Sequence, residues 1–445
     1  MNSLYEWISK YQSLDEFILT KNRGYSYKDF FLLCSQAKKI LQPLQAGDIL
    51  MFSAKSPVEI LIFLIGCLEK GGHFLPIYEK STNEERIILR KKIYPHWEIS
   101  NGKTLQKSQT YELNTKLNLS PGIIFQTSGG TGNSRFVHQS QENLLDNAYR
   151  ASQYQCMNNK SKIFMPLTLS HSGGLNMQTL PAFIVKGRIH LESIQNILEL
   201  EKVFDKSFTH TTLVPFHFRQ IIKLKRWKKA NFSWKMRILT GSCPIPNDFF
   251  EQAKSKKAHL LSVYGLTEIG PFVSTVEKKI DLGENIFPIG NGNGDFKLDI
   301  SSQNEEILVK GPCMGKYIKR EKYWLTHDCG NPWVFTGDRG KYKDGHLCYL
   351  GKIKREINLA GYKINPEEVE EVLKRHSQVQ DCVVYAEKND LYNEIPVVKI
   401  VATGVSSRDI YHFLRKKLTK FKIPRKIFFV ENLDKRTSIG KVKVA

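Results

Sequence analysis

The chain lacks any apolar run long enough to cross a membrane. Within its 445 residues the longest, Ile60 to Leu68, is nine residues and contains Gly66. A spanning helix needs about 20. The N-terminus lacks a basic region followed by an apolar stretch and carries Glu6 instead, so no signal peptide is expected. Repeats and low-complexity tracts are missing as well. No two of the eight cysteines (34, 67, 156, 243, 313, 329, 348 and 382) sit at metal-ligand spacing, and several lie in apolar runs. They read as free thiols of a reducing cytoplasm. Acidic residues are few beside basic ones: 44 Asp+Glu against 66 Lys+Arg, a net charge of +22. That excess suits a polyanionic partner, or it is compositional bias spread over a solvated surface. What remains is a globular composition, with 41% hydrophobic and 25% charged residues. At about 100–200 residues per domain, the length predicts two or three domains.

Periodicity supplies an organisation. Gly24-Tyr25-Ser26 reads as a strand, and Tyr27 to Leu41 has helical apolar spacing. Ile49 to Phe52 is an apolar strand, Pro57 opens a helix that runs to Glu69, and Gly71-Gly72 stops it before a strand from His73 to Ile77. This alternation predicts doubly wound α/β sheets and continues through 121–270. From Gly283 to Asp338, short strands and Gly/Pro punctuation predict a small β-rich subdomain. The charged stretch Lys352-Ile353-Lys354-Arg355-Glu356 marks a boundary, and a β/α pattern of about 90 residues follows it. The expected domains are therefore 1–351 and 352–445.

The strand Gly122-Ile123-Ile124-Phe125 feeds Gln126-Thr127-Ser128-Gly129-Gly130-Thr131-Gly132-Asn133-Ser134-Arg135. Glycines let backbone N–H groups approach phosphate oxygens, hydroxyls donate further bonds, and a cation completes the charge match. Without a terminal Gly-Lys-Ser/Thr it is not a P-loop. Taken alone, it could equally be a flexible hairpin loop.

The segment resembles the Thr-Ser-Gly-Ser/Thr-Thr-Gly-x-Pro-Lys-Gly signature of the adenylate-forming superfamily, which holds acyl- and aryl-CoA synthetases, nonribosomal adenylation domains and luciferases. It departs at Gly130, Ser134 and Arg135, the last keeping the charge with a planar fork in place of a point charge. Other signatures of the superfamily follow in order. Pro166 to Gly174 resembles the Pro-x-x-His-x-x-Gly segment. Arg237 to Pro244 resembles the strand and turn beside the adenine. Tyr264-Gly265-Leu266-Thr267-Glu268 and Thr336-Gly337-Asp338 match Tyr-Gly-x-Thr-Glu and Thr-Gly-Asp. Gly361 to Glu370 matches the Gly-x-x-Ile-x-Pro-x-Glu-Ile-Glu helix entry, and Ser438-Ile439-Gly440-Lys441 resembles the terminal Ser-Gly-Lys. The resemblance covers essentially the whole chain and is nearest in feel to compact acyl- and aryl-CoA ligases such as o-succinylbenzoate–CoA ligases.

That resemblance implies a large N-terminal α/β domain and a small mobile α+β C-terminal domain. It also implies a carboxylate attacking the α-phosphate of ATP to give an acyl-adenylate and pyrophosphate, then transfer to a thiol. Lys441 is expected at the α-phosphate during adenylation, and Glu268 with Thr131 at Mg²⁺, with Thr267 beside Glu268 in the catalytic motif. Thr127, Ser128, Gly129, Gly130, Thr131, Gly132 and Arg135 are expected on the phosphates. Gly241, Ser242, Cys243, Tyr264 and Gly265 are expected at adenine, and Asp338 and Lys352 at the ribose. His171, Ser172, Gly173, Val214 and Leu266 would line the acyl pocket. Lys354 would be the pivot, in a charged stretch expected to stay solvated. Lys352 stands where the family carries arginine.

The stretch Leu175 to Leu180 carries no cation to hold a second carboxylate, and no acidic residue lies near His171 or Gly174 to hold an ammonium. A small aromatic or medium aliphatic acid is the expected substrate. Coenzyme A is the expected thiol acceptor. An acidic carrier protein is a second reading, and a catalytically silent nucleotide- or nucleic-acid-binding protein a third. Nucleic-acid binding would want aromatics interleaved with a dense basic stripe, and the candidate Leu224 to Lys229 reads instead as an exposed helix end. The oligomeric state is open.

Overall fold

The computed structural model describes residues 3–11, 13–100, 104–108, 116–127, 135–192, 194, 197–204, 208–232, 236–283, 286–321, 324–330, 332–353 and 355–433. Ser128, Gly129, Gly130, Thr131, Gly132, Lys354 and Lys441 lie outside them. The chain divides into two compact units. One takes in the chain up to Glu79, Lys92–Gln126 and Phe136–Gly351. The other takes in Lys80–Lys91, the loop-flanking Thr127 and Arg135, and the chain from Lys352.

The first unit is built as its periodicity requires. Helix Tyr27–Ile40 starts at a capping box, in which Ser26 accepts from the Asp29 N–H and Asp29 accepts from the Ser26 N–H. Its apolar positions Tyr27, Phe30, Cys34 and Ala37 are buried, and Lys38 and Lys39 complement the dipole of its last turn. Helix Pro57–Glu69 opens on proline at its first turn and is buried at every position from Ile60 to Leu68. The longest apolar run is thus a core helix.

Two eight-stranded sheets carry this unit. The first runs in the order Gly270–Val276, His259–Leu266, Arg237–Thr240, His210–Thr212, Lys162–Met165, Arg188–Leu191, Glu16–Leu19, Gly24–Ser26. Its six inner strands are parallel, and each edge strand is antiparallel to its neighbour. The second runs Trp324–Asp328, Lys316–Arg320, Arg135–Ser140, Gly122–Thr127, His73–Pro76, Ile49–Ser53, Trp97–Ser100, Thr104–Lys107. A five-stranded sheet of Phe287–Pro288, His346–Lys352, Val334–Lys343, Glu306–Lys310 and Lys297–Ile300 supplies the β-rich part.

The second unit has a long antiparallel hairpin, Val379–Asn389 with Asn393–Ala402. Helices Pro366–Leu373 and Ser407–Lys417 contribute Val369, Val372, Leu373, Ile410 and Leu414 to its core. Asn365 caps the first helix, and Pro366 fills its first position. The charged boundary stretch is less solvated than its composition suggests. Arg355 is half-buried, donating to Glu370 Oε1 at 2.6 Å and to the Val384 carbonyl. Its guanidinium finds a carboxylate and a strand carbonyl that composition cannot reveal. Glu85, in the segment from Lys80 to Lys91, accepts from the Thr419 N–H, the Thr419 hydroxyl and Lys422. Burial pushes its carboxyl up, but Lys422 and the hydrogen bonds hold it below the usual range.

Candidate active site

Several motif residues of the first unit lie where the parallel strands of its first sheet end. In an open α/β sheet, ligands bind outside the carboxyl ends of the strands. Gly241 follows Arg237–Thr240, Val214 follows His210–Thr212 to cap helix Pro215–Ile221, and the segment to His171 follows Lys162–Met165. Close packing makes Gly241 necessary: a Cβ there would lie 2.8 Å from the Val263 carbonyl oxygen. Ser242 sits in the left-handed region at φ 71°, and half-buried Cys243 is in no disulfide.

Tyr264 and Gly265 end strand His259–Leu266, and the pairing with Gly270–Val276 shifts register between Tyr264 and Leu266. A Cβ at Gly265 would meet the Pro271 carbonyl carbon at 2.4 Å. The irregularity re-aims the strand end. Tyr264 donates its hydroxyl to Asp338 Oδ2 at 2.8 Å. Burial and the Asp338 carboxylate push that phenol well above its usual value, so it stays a donor. Asp338 is 3% exposed. An irregularity in the pairing of strand Val334–Lys343 with Glu306–Lys310 explains Thr-Gly-Asp. The Thr336 hydroxyl accepts from the Asp338 N–H and donates to the Ile307 carbonyl, while Gly337 lies at φ 72° and donates its N–H to Glu306.

Thr267 and Glu268 form the turn after the tyrosine strand. Gln139 donates to the Thr267 carbonyl at 2.8 Å, and the Gly315 N–H donates to the Glu268 carbonyl at 2.8 Å. The Tyr317 hydroxyl donates to Glu268 Oε1 at 3.1 Å. Mg²⁺ takes oxygen ligands, keeps several waters and uses one or two carboxylates. Half-buried Glu268 fits that demand, since an ionised carboxylate offers about four acceptor sites and Tyr317 uses one. Among the described residues no group of three His, Cys, Asp or Glu forms a ready-made cage.

Of the residues expected at the acyl pocket, exposed His171 precedes the short helix Ser172–Gly174, and its ring lies 6.4 Å from that of Tyr78. A π-helical turn, Leu175–Thr179, follows with all five residues buried. Such turns often mark functional sites. Ser172 accepts from Asn176 at 3.1 Å, and Thr179 donates to the Gly174 carbonyl at 2.7 Å. Val214 is buried and Leu266 half-buried. Thr127 and Arg135 flank the glycine loop, and the Thr127 hydroxyl donates to the Arg135 carbonyl at 3.4 Å. Lys352 lies 3.6 Å from Glu356. The basic helix Lys225–Lys229 buries Trp227 and exposes its cations, as an exposed helix end should.

The structure thus joins Tyr264 to Asp338 directly and fixes the turn carrying Glu268. Sequence reasoning missed Gln139, Asn143, Glu306 and Tyr317. None sits in a recognisable motif, and only contacts between segments distant in the chain reveal them.

Two family models match the chain. The AMP-binding enzyme model covers residues 96–315, and the AMP-binding enzyme C-terminal domain model covers residues 368–441. An indoleacetate–CoA ligase of Aromatoleum aromaticum is 27% identical over 344 residues, 73% of this chain and 66% of that relative. A 2-succinylbenzoate–CoA ligase of Oceanobacillus iheyensis is 27% identical over 334 residues, 71% of this chain and 67% of that relative. The matched stretch therefore spans about two thirds of either relative. An o-succinylbenzoate CoA synthetase from Bacillus subtilis, bound to a product analogue, superposes with a TM-score of 0.85 over 100% of this chain and 97% of that one. At 18% identity that likeness shows the fold alone. On the two family models, which together take in most of the chain, it belongs to the AMP-binding enzyme family, the adenylate-forming superfamily.

Proposed function

We propose that the chain is an AMP-forming acid–thiol ligase that activates a carboxylic acid with ATP and passes it to coenzyme A. The observation that carries the reading is the hydrogen bond between Tyr264 and Asp338 at the ends of the parallel strands, beside the fixed Glu268 turn. In the first step a carboxylate oxygen attacks the α-phosphorus, the bond to the pyrophosphate oxygen breaks, and the acyl-adenylate forms. In the second the thiol sulfur attacks the acyl carbon, AMP leaves with the bonding pair, and the thiol proton passes to solvent.

Negative charge builds on the α-phosphate and the leaving group, so fixed cations and donors lower the barrier. Lys441 and Arg135 supply the cations. Thr127, Ser128, Gly129, Gly130, Thr131 and Gly132 bind the phosphates, Gly241, Ser242, Cys243, Tyr264 and Gly265 hold the adenine, and Asp338 with Lys352 holds the ribose. Glu268 and Thr131 hold Mg²⁺, which when bound offsets phosphate charge. His171, Ser172, Gly173, Val214 and Leu266 line the acyl pocket. The working domains are 1–351 and 352–445, with the pivot at Lys354.

The acid is a small aromatic or medium aliphatic carboxylic acid. The cation-free, buried turn Leu175–Thr179 supports this, because a second carboxylate would find no partner there. The likeness to two CoA ligases supports coenzyme A as the acceptor.

The test supplies ATP, Mg²⁺ and a panel of aryl and aliphatic acids, and follows free thiol beside AMP. With a correct acid, coenzyme A thiol should fall mole for mole with AMP formed. Unchanged coenzyme A, with acylation of a carrier protein in its place, would overturn the choice of acceptor.

A further inference from the structure

We infer that Tyr317 is a positioning residue for the Glu268 carboxylate, and that it sets the affinity of the nucleotide site for a divalent cation. This rests on the reading of Glu268 as the metal-holding carboxylate.

The turn carrying Glu268 is held at three points, all traceable to two paired strands. Arg135–Ser140 leaves the glycine loop and pairs antiparallel with Lys316–Arg320, placing Tyr317 opposite Val137. From the first strand, Gln139 (fully buried) grips the Thr267 carbonyl. Just ahead of the second, the Gly315 N–H grips the Glu268 carbonyl. Asn143 locks the two together by donating to Gln139 Oε1 and to the Met314 carbonyl, both at 3.0 Å. These contacts fix the backbone of residue 268 but leave its side chain free to rotate.

The Tyr317 hydroxyl is what restrains the carboxylate, donating to Oε1 at 3.1 Å. A donor bonded to an anion is stronger than a neutral pair. It fixes one oxygen and leaves acceptor capacity for a metal and its waters. The rigid ring carries no flexible stem, so the hydroxyl is delivered from a strand rather than from a loop. Partners that orient a ligating side chain typically contribute about tenfold to hundredfold to metal affinity.

The test uses the full chain with a non-reacting ATP analogue and Mn²⁺, with free Mn²⁺ read by electron paramagnetic resonance. Tyr317→Phe should weaken Mn²⁺ binding about tenfold to hundredfold while leaving metal-free AMP binding unchanged. A merely structural role would move both. Tyr317→Leu, a second hydroxyl-free variant, guards against a packing defect peculiar to Phe. Glu268→Gln separates the two ideas. If it loses Mn²⁺ while both Tyr317 variants keep it, the positioning role is wrong. If it also binds Mn²⁺ normally, the reading of Glu268 itself fails.

Discussion

Asp338 shows how much one buried carboxylate does at this site. Its carboxylate accepts from Tyr264, its N–H is held by Thr336, and Gly337 adopts the left-handed conformation that places it. Hydrogen bonds to a charged group contribute about 1.5–3 kcal/mol, so Asp338→Ala should weaken AMP binding about tenfold to hundredfold. Titration calorimetry with AMP reads this directly, and unchanged affinity would remove Asp338 from the nucleotide site. Much of this residue-level detail was legible. Thr336-Gly337-Asp338 and Tyr264 to Glu268 stand in the sequence as contiguous motifs, since a bulge or turn and the side chain it presents are neighbours in the chain. Tyr317 and Glu306 were not legible, since their partners lie 49 and 31 residues away. Nothing in either segment marks the pairing.

The adjacent glycines 173 and 174 show how an element dictates its residues. A Cβ at Gly173 would meet nothing within 4 Å, while one at Gly174 would lie 2.0 Å from the Thr168 carbonyl oxygen. Backbone cannot yield as a flexible side chain does. Gly173→Ala should therefore leave stability within about 1 kcal/mol, since alanine favours a helix by up to that amount. Gly174→Ala should cost more than the ~1–3 kcal/mol typical of overpacking. Urea unfolding of the two variants checks the contrast, and equal midpoints would refute it. Elements with strong periodicity were readable, namely helices Tyr27–Ile40 and Pro57–Glu69 and the strands around them. The π-helical turn Leu175–Thr179 was not. A π turn is made by i→i+5 backbone bonds, joined here by the Thr179 hydroxyl on the Gly174 carbonyl, and neither leaves a periodic trace. Likewise Arg355 read as a solvated charge until Glu370 and the Val384 carbonyl were seen beside it.

At the scale of the whole molecule, the +22 charge no longer calls for nucleic acid. The one aromatic in the basic stretch is Trp227, and it is buried. ATP and coenzyme A are both polyanions, and a basic surface raises their encounter rate in a salt-dependent way. The architecture was legible as alternating α/β segments followed by a β-rich part, because patterning extends over many residues. Strand order was not, because Arg135–Ser140 pairs with Lys316–Arg320 across almost two hundred residues.

The central claim is that ATP is used to activate a carboxylic acid. Acid-dependent exchange of labelled pyrophosphate into ATP, without coenzyme A, tests it most directly. The account predicts exchange that requires Mg²⁺ and one class of aryl or aliphatic acid, and that falls to background in Glu268→Gln. ATP binding with no exchange for any acid would contradict it.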